Sequence, residues 1–268
     1  MGSDDVRAVL AAHLPDLRVD TVEHLGEGQD NTAFDVNGEL IVRFAKGDTD
    51  VAAEARLLEV VAGFSPLRIP LPRLVVPELR CLAYDRLPGT QLLDLPECPP
   101  GVVDELRGFL DALQVIPVDL VADLVEVDDQ DGEGWLADAK DCYAALAVPA
   151  RFRPVIEAFL AEAPPKPDYE VVFSHNDLGI EHVLIQDGRV SGVIDWTDAA
   201  LCDPAYDHGL LYRDLGVLPS GRPDGFVERA VFYARCSVLE DWRYGVESGL
   251  RQFVTQAQAS LEWLFRAE

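Results

Sequence analysis

The stretch Ser174-His175-Asn176-Asp177-Leu178-Gly179-Ile180-Glu181-His182-Val183-Leu184-Ile185, continued by Gln186-Asp187-Gly188-Arg189 and Val190-Ser191-Gly192-Val193-Ile194-Asp195-Trp196, organises the whole chain. A short apolar run, Val171 to Phe173, reads as a strand that delivers the backbone into His175-Asn176-Asp177. An Asp-Gly pair between two apolar runs marks a tight hairpin, and this hairpin folds Asp195 back beside the loop that carries Asp177 and His182. Phosphoryl transfer asks for such a set. It needs a carboxylate to orient an acceptor hydroxyl and take its proton, Mg2+ on the phosphates, and a cation holding the nucleotide. Asp177 is the candidate for the hydroxyl, with His182 and Asp195 the candidate metal-site residues. A metal-dependent hydrolase built on His175, Asp177, His182 and Asp195 is a competing reading, but it leaves the first third of the chain without a part.

Outward from this centre the texture differs on the two sides. Residues 4–14 read as a short helix, and Thr21 to Arg43 as alternating runs broken by Gly26, Gly28 and Asn37-Gly38, the last a hairpin signal. A helix over Ala52 to Val61 carries Glu54 in its first turn, and proline-punctuated strands follow from Ile69 to Leu87. Beyond Pro88 helical spacing dominates: Val102, Leu106, Phe109, Leu110 and Leu113 share one face, and further helices are expected within 135–146, 152–163, 204–216 and 225–266. The expected architecture is α+β and bilobal, with a β-rich N-terminal lobe over 1–87 and a larger, mostly helical C-terminal lobe over 88–268.

The chain has 268 residues and a net charge of −26. Residues 1–87 hold 15 acids against 9 bases and residues 88–268 hold 33 against 13, so the acidity lies mainly in the second part. Nucleic acid is a poor partner for such a surface, whereas a cationic small molecule suits it. No apolar run reaches the length of a membrane span. Five scattered cysteines without CxxC spacing argue against a disulfide framework and for a reducing compartment, the cytoplasm.

The segment 174–185, with Gly192-Val193-Ile194-Asp195-Trp196-Thr197-Asp198-Ala199-Ala200 and Asp203-Pro204-Ala205-Tyr206-Asp207, resembles the aminoglycoside/macrolide phosphotransferase family. These antibiotic and metabolite kinases share the bilobal fold of protein kinases. The resemblance is specific over about 165–215 and collinear but weaker over about 20–90. It implies a protein-kinase-like fold, Asp177 as catalytic base, Asp195 as principal Mg2+ ligand, and ATP or GTP as phosphate donor. The family's usual residue at position 182 is Asn; His182 is similar to macrolide kinases and to aminoglycoside kinases acting on the two-double-prime hydroxyl. His175 and Asp207 are expected to support the loop rather than react. The loop Gly26 to Thr32 resembles the family's nucleotide loop, which makes Gly28, Asn31 and Thr32 candidate nucleotide contacts. Arg43 occupies the place of the kinase lysine, with Glu54 its expected ion-pair partner and Lys46 a nearby competitor. Tyr84, Asp85 and Leu87 resemble the interlobe hinge that meets the nucleobase.

Only Trp196 to Cys202 separates Asp195 from Asp203-Pro204, too short for a peptide-docking segment, so the acceptor is expected to be small. Asp198, Glu240, Asp241 and Trp242 are the candidate acceptor contacts, carboxylates with an aromatic wall for a polyamine sugar. An aminoglycoside leads; a macrolide, a sugar, choline or an amino-alcohol are same-fold alternatives, and a non-catalytic kinase-like binding protein is the reading from another class. A monomer or weak dimer is expected.

Overall fold

The computed structural model describes residues 2–27, 31–47 and 49–266. Helix α1 (Ser3–His13) leads into strands β1 (Val22–Glu27), β2 (Asn31–Val36) and β3 (Leu40–Ala45), then helix α2 (Val51–Ala62) and strands β4 (Pro72–Val76) and β5 (Cys81–Asp85). The strands form one antiparallel sheet in the order β1-β2-β3-β5-β4. Asn37 and Gly38 both take positive φ, 60° and 74°, and Glu39 N–H closes on Val36 C=O at 3.1 Å. This is the primed turn whose twist matches the strands, and it sets Val36 opposite Leu40. The register then puts Leu40, Val42 and Phe44 against α1, in a cluster with Val6, Val9 and Leu10. Ile41 and Arg43, on the alternate face, look into the cleft below.

Asp50 starts α2 by accepting from the amides of Ala52 (2.9 Å) and Ala53 (3.1 Å), which fixes Glu54 in the first turn. The helix does not belong to the sheet alone. Leu57, Leu58 and Val61 share one apolar cluster with Leu106, Phe109 and Leu110 of the helical part, so the core runs from one lobe into the other.

The second part contains β6 (Thr90–Gln91), α3 (Val102–Leu113), α4 (Gly132–Ala145), α5 (Arg153–Ala161), β7 (Val172–Ser174), β8 (Val183–Gln186), β9 (Arg189–Val193), β10 (Ala200–Cys202), α6 (Tyr206–Leu215), α7 (Asp224–Ser248) and α8 (Arg251–Leu264). The helical run expected over 225–266 is broken in two, because Gly249 takes φ +72° and caps α7 in the left-handed conformation. Strands β8 and β9 meet through Asp187-Gly188, both at positive φ. Strand β10 returns antiparallel to β7, which brings the chain past Asp195 back alongside the loop at 175–182. A second apolar cluster, built from α4, α5, α7 and α8, lies away from the cleft. Among the described residues no helix is long and apolar enough to cross a membrane.

Candidate active site

The loop after β7 is pinned from below by Asp207, the second residue of α6. Its carboxylate accepts from the amides of Asn176 (2.9 Å) and Leu178 (3.1 Å) and from the Ser174 hydroxyl. Asp207 is fully buried. Next to it, Asp203 caps the approach to α6 through the Ala205 amide (2.9 Å) and is held by Arg229 Nε at 2.6 Å, tying α6 to α7. Asn176 stands at φ +61°, a conformation that Asn tolerates better than other side chains of its size. His175 is buried, and its Nε2 donates to the Ile194 carbonyl at 3.1 Å, fastening the loop to the chain that carries Asp195. Loss of water holds this imidazole well below its ordinary pKa, so it is a neutral strut.

His182 lies between the two acidic residues. Nδ1 meets the Asp177 carbonyl at 2.8 Å, and only an N–H can pair with a carbonyl, so Nδ1 carries the proton. Nε2 then faces Asp195 Oδ2 at 3.8 Å, while Nδ1 stands 3.4 Å from Asp177 Oδ2. Burial works against charge on this ring, but Asp177, Glu181 and Asp195 outweigh it and raise its pKa to about 8. Asp177 is itself pushed up, first by loss of water and then by Glu181 and Asp198, with His182 pulling the other way. Asp195 takes φ +63° at the end of the hairpin, which turns its carboxylate toward the loop.

His182 Nε2 and Asp195 Oδ2 face each other and form a donor pair of the kind a divalent cation takes. Octahedral Mg2+ with bonds of about 2.0–2.1 Å sets ligand atoms about 2.9 Å apart on adjacent corners and about 4.1 Å apart on opposite ones. The observed 3.8 Å lies between the two spacings, so a shift of either side chain would be needed to seat both on the same cation. Mg2+ ordinarily takes one or two protein ligands and completes its shell with phosphate oxygens and water. No group of three or more His, Cys, Asp or Glu side chains among the described residues is arranged to hold a metal unaided.

A cleft of about 820 Å³ opens between the sheet and the helical part. Ala33 and Ile41 from the sheet face Leu184 and Ile194 from the hairpin, giving two apolar walls, and Asn31, Arg43 and Asp195 make its polar end. Arg43 pairs with Glu54, both side chains under 10% exposed (7% and 9%), so the guanidinium is held in place by a buried counter-charge. Tyr84 and Leu87 line the cleft at the connection between lobes.

Two expected nucleotide contacts lie away from the cleft, and a third is not described. Asp85 does not line the cleft: its carboxylate turns outward to Arg73 at 2.8 Å, and Arg86 stands in the lining instead. Thr32 cannot share the cleft with Asn31, because successive residues of a strand face opposite sides; Asn31 and Ala33 line it and Thr32 does not. Gly28 lies outside the described residues.

The acceptor side also differs. Asp198 borders both the main cleft and a second cavity of about 700 Å³ beneath α2. Asp241 is already bound, at 2.8 Å, to buried Arg213, which in turn holds Asp214 at 2.7 Å. Trp242 is 2% exposed inside the second apolar cluster and cannot serve as a wall for a ligand. Glu240 remains at the surface of α7, but borders neither cavity. Two residues were missed. Glu181 contributes to the field on both Asp177 and His182, and Thr197 bonds Asp195 at 3.1 Å. The adjacency of Glu181 to His182 was a readable signal; the contacts of Thr197 were not.

A β-sheet lobe over a helical lobe, with the polar end of the cleft at a strand–loop–hairpin motif, is the kinase-like phosphotransferase fold. The model of the phosphotransferase enzyme family matches residues 21–243, and the chain belongs to that family. It is 31% identical over 153 residues to an aminoglycoside 3'-phosphotransferase of Enterococcus faecalis, covering 56% of this chain and 48% of the relative. It therefore spans about half the length of the curated relatives it matches. The GDP and kanamycin complex of an APH(2") enzyme superposes with a TM-score of 0.73 at 21% identity, over 96% of this chain and 97% of the other. A macrolide 2'-phosphotransferase of Brachybacterium faecium superposes at 0.65 with 23% identity, over 99% and 98%.

Proposed function

We propose that the protein is a Mg2+-dependent small-molecule kinase that moves the γ-phosphate of ATP or GTP to a hydroxyl of a cationic acceptor, foremost an aminoglycoside. The observation that carries this reading is the grouping of Asp177 and His182 beside Asp195, which stands at the polar end of a cleft whose other lobe supplies the buried Arg43–Glu54 pair. Family membership supports the reaction class.

The geometry supports a division of labour. The apolar walls from Ile41 and Ile194 take the flat nucleobase, and Arg43 neutralises phosphate charge without swinging, because Glu54 anchors it. Asp195 Oδ2 and His182 Nε2 would hold Mg2+, which supplies charge neutralisation across the β- and γ-phosphates. Asp177 accepts a hydrogen bond from the acceptor hydroxyl and receives its proton as the new O–P bond forms. The bond to the bridging oxygen breaks and the nucleoside diphosphate leaves. The raised pKa of Asp177 makes it a better proton acceptor than an ordinary carboxylate. Carboxylates at Glu181 and Asp198, beside Asp177, favour an ammonium-bearing acceptor. Five free cysteines fit a cytoplasmic setting.

Nucleotide consumption with Mg2+ and ATP or GTP, screened over aminoglycosides, macrolides and amino-alcohols, tests the reading. Turnover with an aminoglycoside and a phosphorylated sugar product is the expected result. Turnover confined to a neutral acceptor would remove the electrostatic argument, and phosphate appearing on a protein side chain would overturn the small-molecule reading.

A further inference from the structure

We propose that Thr197 is a positioning residue whose hydroxyl ties the sheet lobe to the orientation of Asp195; the inference rests on Asp195 being a metal ligand, as read above. A threonine hydroxyl has one proton to give and two lone pairs. Here all three are used. A carboxylate only accepts, so the proton goes to Asp195 Oδ1 at 3.1 Å. Guanidinium and amide NH2 groups only donate, so the lone pairs receive Arg43 Nη1 at 3.2 Å and Asn31 Nδ2 at 3.4 Å. One small side chain thereby joins β2, β3 and the turn after β9.

Asp195 needs such a tether. Its side chain is 46% exposed and its backbone is in the left-handed region, so water competes for the carboxylate on a turn that gives it little support. Holding Oδ1 leaves Oδ2 turned toward His182 Nε2, the pair between which the cation would sit. On the other side Arg43 is locked to Glu54, so a continuous relay of polar contacts runs Glu54–Arg43–Thr197–Asp195 from α2 to the candidate metal site. The sheet lobe and the metal carboxylate are thus set together. The branched Cβ restricts the rotamer and holds the hydroxyl at the junction.

Thr197→Val preserves the shape and removes the hydroxyl; Thr197→Ser preserves the hydroxyl; Thr197→Ala stands in should the valine variant not fold. The probe is Mn2+ titrated by electron paramagnetic resonance in the presence of adenylyl- or guanylyl-imidodiphosphate, alongside steady-state kinetics. Loss of a hydrogen bond to a charged group predicts a rise of about tenfold in the Mn2+ half-saturation concentration for the valine or alanine variant. A fall in kcat should accompany it, with metal-free nucleotide affinity within about twofold of wild type and the serine variant within about threefold throughout. Unchanged Mn2+ binding in Thr197→Val, or Thr197→Ser as weak as Thr197→Val, overturns the proposal. Absence of turnover in the wild type with every acceptor would instead sink the kinase reading, which the Mn2+ comparison does not depend on.

Discussion

Asp207 Oδ2 accepts the amide of Asn176 at 2.9 Å, so the residue immediately before the candidate base is held by a carboxylate from a helix 31 positions further on. The same carboxylate takes Leu178 N–H and the Ser174 hydroxyl, and no water reaches it. Replacing it strands buried donors. Asp207→Ala should therefore cost about 3 kcal/mol of unfolding free energy. Urea unfolding followed by circular dichroism checks this, and a loss under about 1 kcal/mol would contradict the anchoring role.

Asp177 has a different signature. Asp177→Asn keeps the shape and the hydrogen bond to an acceptor but cannot take a proton. We expect kcat to fall by on the order of 10²-fold or more, with nucleotide affinity little changed. Steady-state kinetics beside calorimetric nucleotide binding separates the two quantities, and retained kcat removes the base assignment.

His182 is an uncommon choice beside a hard cation, which prefers oxygen. His182→Asn offers an amide oxygen in place of the imidazole nitrogen. The expected outcome is tighter Mg2+ dependence, with half-saturation falling several-fold, because the ring no longer holds a proton that competes for the site. The readout is turnover against Mg2+ concentration at pH 7; an unchanged half-saturation would place His182 outside the ligand set.

His208 gives a pH test away from the chemistry. Burial, aided by Arg222 and opposed by Asp207 and Asp111, lowers its pKa to about 4, against about 6.5 in an unfolded chain. A depressed histidine pKa means the fold disfavours the proton, so stability is intact above about pH 6.5 and declines as pH falls toward 4. Between pH 7 and pH 5 this one group should remove about 2 kcal/mol. His208→Gln should show that much less acid sensitivity in paired urea melts, and an identical pH dependence would mean the ring is not protected.

Local chemistry made much of this fold legible. Asn37-Gly38 and Asp187-Gly188 each set a turn and hence a register, and the α3 face at Val102, Leu106, Phe109, Leu110 and Leu113 is buried as its spacing predicts. The misreadings came from ignoring phase. Val238, Leu239, Trp242 and Gly245 form one buried stripe along α7, so the helical period alone places Trp242 in the core. Strand alternation likewise forbids Asn31 and Thr32 from facing one cleft. The pairing of β10 with β7 involves three residues on each side and carries no period to detect. Thr197 depends on partners more than a hundred positions away, and nothing local announces them.

The apolar cluster that joins Leu57, Leu58 and Val61 of α2 to Phe109 and Leu110 of α3 has a mechanical consequence. Prising the lobes apart on that side would wet a dry seam at about 25 cal/mol per Å². Nucleotide entry should then proceed by the outer strands lifting like a shutter while α2 stays seated. Asn31 of β2 would then leave Thr197 and return to it once in each catalytic cycle, while Arg43, anchored to Glu54, keeps its place.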